Sequence, residues 1–283
     1  MKEKEISGGR INKVAAQKSS ISKTYQEGGI VKGLGLSARQ RWENEAVALS
    51  TYSDVYFEPL RVPKIISTDE QTLTTVMERI HARPIEDIVS RDASFLTKER
   101  AVKLARVLEQ IHALKQETNP GLYKKYLATF HVYVQNASEI LRRANIDPDR
   151  PKAWMAGALS GLKAHAEVVP VHTDFWFENI LADDADNFYV IDWEFYSTGS
   201  PYENLGVFYM NVNEHFSESR DFCDTFFRAY DPGVDVELVR AFCVYRCLRL
   251  LSHVDVEDYE REPLERPHSF KELANIVREN ISR

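Results

Sequence analysis

The sequence predicts an α+β protein in two lobes, a small one of antiparallel strands around one helix and a larger, mainly helical one. Two observations predict it. Up to about residue 80, short β-prone runs alternate with Gly, Ser and Asp/Glu turns, and one helical stretch interrupts them. From about residue 90 the apolar spacing becomes helical, broken by a pair of strands between residues 168 and 191. A chain of 283 residues suits one bilobal domain, divided at about 1–80 and 81–283 with a hinge near 77–84.

In order, EISGGRINKVAAQ (5–17) reads as a strand, a Gly8-Gly9 turn and a return strand, and QKSS turns the chain again. ISKTYQ (21–26) is a short β-prone run that holds Lys23. A helix is expected from its N-cap, Ser37, to Tyr52, with Trp42, Val47 and Leu49 as apolar anchors. VPKIISTDEQTLTTVMERI (62–80) reads as two strands about an Asp-Glu turn, and HARPIEDIV (81–89) as a crossing linker. In KERAVKLARVLEQIHAL (98–114), Ala101, Leu104, Ala105, Leu108, Ile111 and Leu114 share one helical face. His112, beside that face, reads as a core histidine. Further helices are expected over 123–145, 152–166, 214–230, 235–254 and 269–281, with an acidic segment, DVEDYEREPLERP (255–267), between the last two.

The stretch with the densest chemistry is VHTDFWFENIL (171–181), followed by FYVIDWEFY (188–196). An apolar run, 168–171, leads to His172 and Asp174; Asn179 stands five residues after Asp174. The turn ADDADN then joins Ile180-Leu181 to a second strand that ends on Asp192, thirteen residues after Asn179. A hairpin of this form brings Asp174, Asn179 and Asp192 to one end. Two carboxylates and a carboxamide, with no His or Cys cluster, are hard oxygen donors suited to Mg²⁺, which keeps waters and shares its shell with phosphates.

H-x-D-x-x-x-x-N followed by a strand-terminal Asp is the catalytic-loop pattern of kinase-like phosphotransferases. The form HTDFWFEN…IDWE resembles the aminoglycoside phosphotransferase and choline kinase superfamily more than eukaryotic protein kinases, which have HRD and DFG. The resemblance spans about residues 5–210, including a helix whose LEQIH (108–112) resembles the LxxLH of these enzymes, and implies a protein-kinase-like fold with ATP or GTP in the cleft and Mg²⁺ on its phosphates. By that resemblance Asp174 is the base for the acceptor hydroxyl, His172 braces the loop, and Asn179 and Asp192 hold the metal. Lys23 is the phosphate lysine, with Lys32 its competitor, and Glu45 its helix partner, with Glu43 the fallback. Gly8 and Gly9 let backbone N–H groups approach phosphate oxygens, and Met77, Glu78, Arg79 and Ile80 lie at the nucleobase. Relatives read G-x-P-x-x-D-L-A where this chain has Asn204 in place of the Asp, which implies weaker anchoring of the catalytic loop.

The acceptor implied by the same resemblance is a small, cationic hydroxyl compound, an aminoglycoside-like amino sugar, or else choline, ethanolamine or another metabolic alcohol or sugar. Asp255, Glu257 and Asp258 of the acidic segment, Glu194, and aromatics led by Trp193 are its candidate contacts. A non-catalytic nucleotide-binding module is the alternative of another class. A net charge of −7 argues against a nucleic-acid partner. No run approaches membrane-spanning length and the N-terminus has no apolar signal, so a cytoplasmic protein with no obligate protein partner is expected. Three cysteines, Cys223, Cys243 and Cys247, on expected helices argue for buried thiols rather than disulfides.

Overall fold

The structure, a computed structural model, describes residues 4–5, 12–27, 36–53, 59–114, 117–215, 220–261 and 269–282. The expected glycine turn at Gly8 and Gly9, and Lys32, lie outside the described residues.

The first sheet contains β1 (Lys4–Glu5), β2 (Lys13–Ala16), β3 (Ser20–Thr24), β5 (Ile65–Asp69) and β6 (Thr74–Glu78), in the order β1-β2-β3-β6-β5 and antiparallel throughout. Helix α1 (Ala38–Ser53) follows β3 in the chain and contacts β5 and β6. Ser37 caps it: its Oγ accepts from the Gln40 N–H, while Gln40 Oε1 accepts from the Ser37 N–H. The buried stripe of α1 runs through Ala38, Arg41, Glu45, Ala48, Leu49 and Tyr52. Val47, expected as an anchor, falls on the opposite side of a 3.6-residue period and is 56% exposed. Two charged residues on a buried stripe are costly without partners; Arg41 finds Asn12, the Gln26 carbonyl and Glu194, and Glu45 finds Lys23 and the Trp193 N–H, so the partners come from both lobes.

The lobes share strands. β4 (Leu60–Arg61) runs parallel to β11 (Phe188–Val190), which pairs with β10 (Ile180–Ala182), and β10 with β7 (Arg83–Pro84). The segment expected as a plain linker therefore forms β7 and a short helix, α2 (Ile85–Val89). A third sheet has the order β12-β9-β8, from β8 (Glu117–Thr118), β9 (Glu167–His172) and β12 (Tyr196–Gly199). Every strand pair but β4·β11 is antiparallel.

The helical part is α3 (Lys98–Ala113), α4 (Leu122–Asn136), α5 (Ser138–Arg143), α6 (Asp149–Ala158), α7 (Tyr202–His215), α8 (Arg220–Tyr230), α9 (Val236–Leu251), α10 (Val256–Arg261) and α11 (Phe270–Ile281). One helix expected over 123–145 is two, broken at Ala137, and the helix expected from 214 starts at Arg220 because α7 runs to His215. The acidic segment is not all loop: α10 forms around Tyr259, a buried aromatic that gives it an apolar anchor. Helix α9 is buried from Leu238 to Leu248 and packs on α7, α11 and α4. Gly206 permits the α7·α9 approach, since a Cβ there would stand 2.6 Å from the Phe242 carbonyl carbon. The three cysteines are free and buried, and among the described residues no helix is long and apolar enough to cross a membrane.

His112 is buried on α3, as expected of a core histidine. Burial lowers its pKa to about 4, so the ring is neutral. Its Nε2 is 3.0 Å from Asn204 Oδ1 and its Nδ1 is 2.7 Å from the Tyr230 hydroxyl. The Asn204 oxygen can only accept, so Nε2 bears the proton and Tyr230 donates to Nδ1. An unfolded histidine binds its proton near pH 6.5 and the folded one near 4, so the unfolded state binds more protons between them. Stability attributable to His112 is therefore fully present above pH 6.5 and falls as pH drops toward 4, by roughly 3 kcal/mol. Urea unfolding at stepped pH should show this slope, and His112→Gln should flatten it.

Candidate active site

The loop after β9 reads Asp174-Phe-Trp-Phe-Glu-Asn179, and its burial alternates. Phe175 and Phe177 are fully buried, while Asp174, Trp176 and Asn179 are part-exposed and Glu178 exposed. Two aromatic anchors thus pin the loop and leave its polar side chains outside the core. The backbone closes on itself: the Trp176 N–H and the Asn179 side chain both donate to the Asp174 carbonyl, at 2.7 and 3.0 Å. The Ile191 N–H donates to the Asn179 carbonyl at 3.0 Å, which ties this loop to the residue before Asp192.

His172 is buried and braces the same junction. Its Nε2–H donates to the Ile191 carbonyl at 2.9 Å, and Trp193 packs edge-on against its ring at 4.6 Å between centroids. Burial lowers its pKa, with Asp174 and Asp192 opposing, and among the described residues its buried Nδ1 has no partner. Asn204 donates its amide to the His172 carbonyl while accepting from His112. A carboxylate could not donate to that carbonyl, so the amide is what this arrangement requires. Asn204 therefore anchors the loop through both its amide nitrogen and its oxygen, without the charge that the relatives' Asp would carry.

Across the cleft, Lys23 of β3 meets three carboxylates. Its Nζ lies 2.5 Å from Asp192 Oδ1, 3.0 Å from Glu45 Oε2 and 3.7 Å from Glu194 Oε2. Burial works against the lysine's charge, but Asp192, Glu45 and Glu194 together raise its pKa well above the ordinary value. Burial pushes the Asp192 carboxyl up, yet the Lys23 ammonium outweighs it and holds the group below its usual range. Burial raises Glu45 against the opposing Lys23. Glu43, the fallback, instead stands on the exposed side of α1 near Arg39. Asp192 itself sits in the left-handed region, φ 63° and ψ 59°, where Asp is among the few tolerated side chains.

Glu194 and Trp193, expected as acceptor contacts, are placed otherwise. Glu194 is buried, accepting from Asn12 at 2.6 Å and Arg41 at 3.0 Å, and its carbonyl accepts from Asn44. Trp193 is fully buried and stacks on Tyr52 at 4.7 Å; it is core between α1 and the loop. Asp255, Glu257 and Asp258 are exposed at α10, which packs against α5. Met77 is buried in β6, paired with Ile21 and Ile65. The N–H groups of Glu78 and Arg79 are taken by Lys64 and Ser19 carbonyls, so in this segment the Ile80 N–H is the one without a bond among the described residues.

The residues fit a Mg²⁺ ion on charge and donor type. Two buried cations, Lys23 and Arg41, face three carboxyl groups, Glu45, Asp192 and Glu194, which by formal charge leaves one negative in excess. The excess is reachable at Asp192, whose side chain is 39% exposed against 2% for Glu45 and 4% for Glu194. Asn179 gives its nitrogen to the Asp174 carbonyl, and among the described residues its oxygen makes no hydrogen bond. A carboxylate and a carboxamide oxygen suffice for an ion that takes its remaining ligands from water and phosphate.

Sequence reasoning missed Arg246. Its guanidinium, on α9, donates through Nη2 to Asp174 Oδ1 and lies 5.4 Å from the Trp176 ring centre. A signal existed: Arg246 and Arg249 interrupt the otherwise apolar FCVYRCLRLL (242–251) of a helix buried on nearly every side.

A strand lysine held by a helix glutamate, opposite a loop aspartate and a strand-end aspartate, is the arrangement of kinase-like phosphotransferases. A profile of the phosphotransferase enzyme family (APH) matches residues 43–251, and the chain belongs to that family. Among solved structures it is similar to the ADP-bound aminoglycoside phosphotransferase APH(2'')-Ib, with 13% identity, 99% of this chain and 94% of that chain covered, and a TM-score of 0.64. It is similar to the choline kinase LicA from Streptococcus pneumoniae at 16% identity, covering 100% and 94% of the two chains, with a TM-score of 0.64. A streptomycin–ATP ternary complex of APH(2'')-IIa gives 13% identity, 100% and 92% coverage and a TM-score of 0.61. These likenesses show the two-lobed kinase-like fold. No curated protein matches the sequence.

Removing one partner from the buried Arg41–Glu194 pair, whose side chains are 1% and 4% exposed, leaves an uncompensated charge. Glu194→Ala should therefore cost about 3–5 kcal/mol of stability in urea unfolding. Substituting the exposed Asp258 by Asn should change it by no more than about 0.5 kcal/mol.

Proposed function

We propose that the chain transfers the γ-phosphoryl group of ATP or GTP to a hydroxyl of a small acceptor, with Mg²⁺. The observation that carries this reading is the contact of Lys23 with both Glu45 and Asp192, beside the Asp174 loop that Asn179 ties to the same strand end. Lys23 would bind phosphate oxygens, with Glu45 fixing its ammonium. Asn179 and Asp192 would hold the metal, which when bound neutralises charge on the phosphates. Asp174 would accept or orient the acceptor's O–H proton, with His172 and Asn204 holding its loop. Ile80 N–H would meet the nucleobase. Catalysis then rests on positioning and on charge placed in advance, rather than on covalent chemistry.

The ADP, ATP and streptomycin named with the similar structures support a nucleotide donor and leave an aminoglycoside-like acceptor open; choline or another metabolic alcohol is the alternative. A non-catalytic nucleotide-binding module is the alternative of another class; Asn204, which departs from the relatives' pattern, bonds both His112 and the His172 carbonyl, which supports the catalytic reading. Free, buried cysteines fit a reducing compartment and support the cytoplasm as the site of action.

Asp174→Asn keeps the side chain's size and removes its basicity. It should lower acceptor-dependent kcat about 10²- to 10⁴-fold while nucleotide still binds, as measured by coupled ADP release and by titration with nucleotide. Full turnover in this variant would contradict the assignment.

A further inference from the structure

Two arginines one turn apart, Arg246 and Arg249, lie in the apolar second half of α9, and Arg246 reaches the loop of Asp174. Arg246 is only 8% exposed, yet among the described residues its one hydrogen bond is to Asp174, and its Nε is buried without a partner. Arg249 has less: among the described residues its guanidinium makes no ion pair, and its Nε too is buried and unbonded. Burial lowers the Arg246 pKa, and the Arg249 charge works in the same direction, so the two cations feel each other. Glu203 of α7 shares their field, but it accepts from the Tyr126 hydroxyl and makes no ion pair with either arginine among the described residues; burial raises its pKa against the two guanidinium charges. Arg246 is desolvated and Arg249 half-buried, and beside the carboxyl groups of Asp174 and Glu203 both keep guanidinium donors unspent, donors that an incoming oxyanion would fill.

This arrangement bears on the acceptor. Arg246 reaches Asp174, the residue proposed to meet the acceptor's hydroxyl, so a group near that hydroxyl lies near Arg246, whose own neighbour is Arg249. Neither arginine touches the Lys23 cluster among the described contacts, and the nucleotide side already has its own cation there. A cationic acceptor would face like charge at this wall.

Building on the phosphotransferase reading above, we propose that Arg246 and Arg249 form an anion subsite, and that the acceptor carries an oxyanion, a carboxylate or a phosphate, a few bonds from the hydroxyl that is phosphorylated. The planar guanidinium fork suits either oxyanion. Trp176, under the Arg246 cation, holds that fork in place. Specificity for charge thus comes from α9 and not from the acidic α10.

The test is titration calorimetry on the full-length chain with MgADP saturating, so that the nucleotide side is filled. The ligands are glycerate, glycerol 3-phosphate, glycerol and 3-aminopropane-1,2-diol, which keep a hydroxyl and differ in the charged end. Binding of glycerate or glycerol 3-phosphate at least about tenfold tighter than glycerol, with the amine weakest, supports the subsite, and the stronger of the two names the oxyanion. Arg249→Gln should weaken that anion by about tenfold or more and leave glycerol's affinity within about twofold, whereas Arg249→Lys should recover part of the loss. Equal binding of all four, binding undetectable for both anions, or preference for the amine overturns the proposal. A loss in Arg249→Gln that is the same for every ligand also overturns it, since that is the mark of a merely structural arginine. Failure of MgADP itself to bind, read before any acceptor is added, counts against the phosphotransferase function and not against the subsite.

Discussion

The ammonium of Lys23 is the point on which the two lobes agree. It is 9% exposed and meets Asp192, Glu45 and Glu194, which come from a strand end, from α1 and from the turn after the strand. Burying a charge is justified only by partners held in place, so each partner's own support becomes a constraint on the fold. Arg41 and Asn12 hold Glu194; the Trp193 N–H donates to Glu45 at 3.2 Å; Asp192 occupies a left-handed conformation at the end of β11. Helix α1 packs directly on the turn of Trp193 as a result. The small lobe is bound to the large one by charge as much as by apolar contact.

The loop of Asp174 is organised by different means. Its aromatic residues enter the core, its backbone folds onto its own carbonyls, and a chain of neutral hydrogen bonds runs from Tyr230 through His112 and Asn204 to the His172 carbonyl. Neutral bonds suit this position. A charged group behind the loop would add its field to that of Asp174, whereas an amide and an uncharged imidazole fix the backbone without doing so. The Asn in place of the usual Asp is thus part of a consistent local design rather than a defect.

How far the sequence reveals this depends on distance along the chain. Asp174, Asn179 and Asp192 lie within nineteen residues on one hairpin, and their spacing alone brings them to one end. The helix of Glu45 was readable from its Ser37 cap and its apolar period. Arg41, Asn12 and Arg246 were not, because their partners are 153, 182 and 72 residues away. Trp193 and Glu194 misled for a related reason: an aromatic beside an acid looks the same in a ligand cage and in a buried junction, and only the packing of α1 decides. The acidic run at 255–258 likewise read as a binding element by composition, while its placement follows from one buried tyrosine.

The central claim is that the excess negative charge at Asp192 is a place for Mg²⁺ bound together with nucleotide. The most direct measurement is the affinity of ATP with and without Mg²⁺, in the unaltered chain and in Asp192→Asn. The account predicts that Mg²⁺ tightens ATP binding in the former and has little effect in the variant, because removing that carboxylate abolishes the excess. An equal Mg²⁺ effect in both proteins would contradict it.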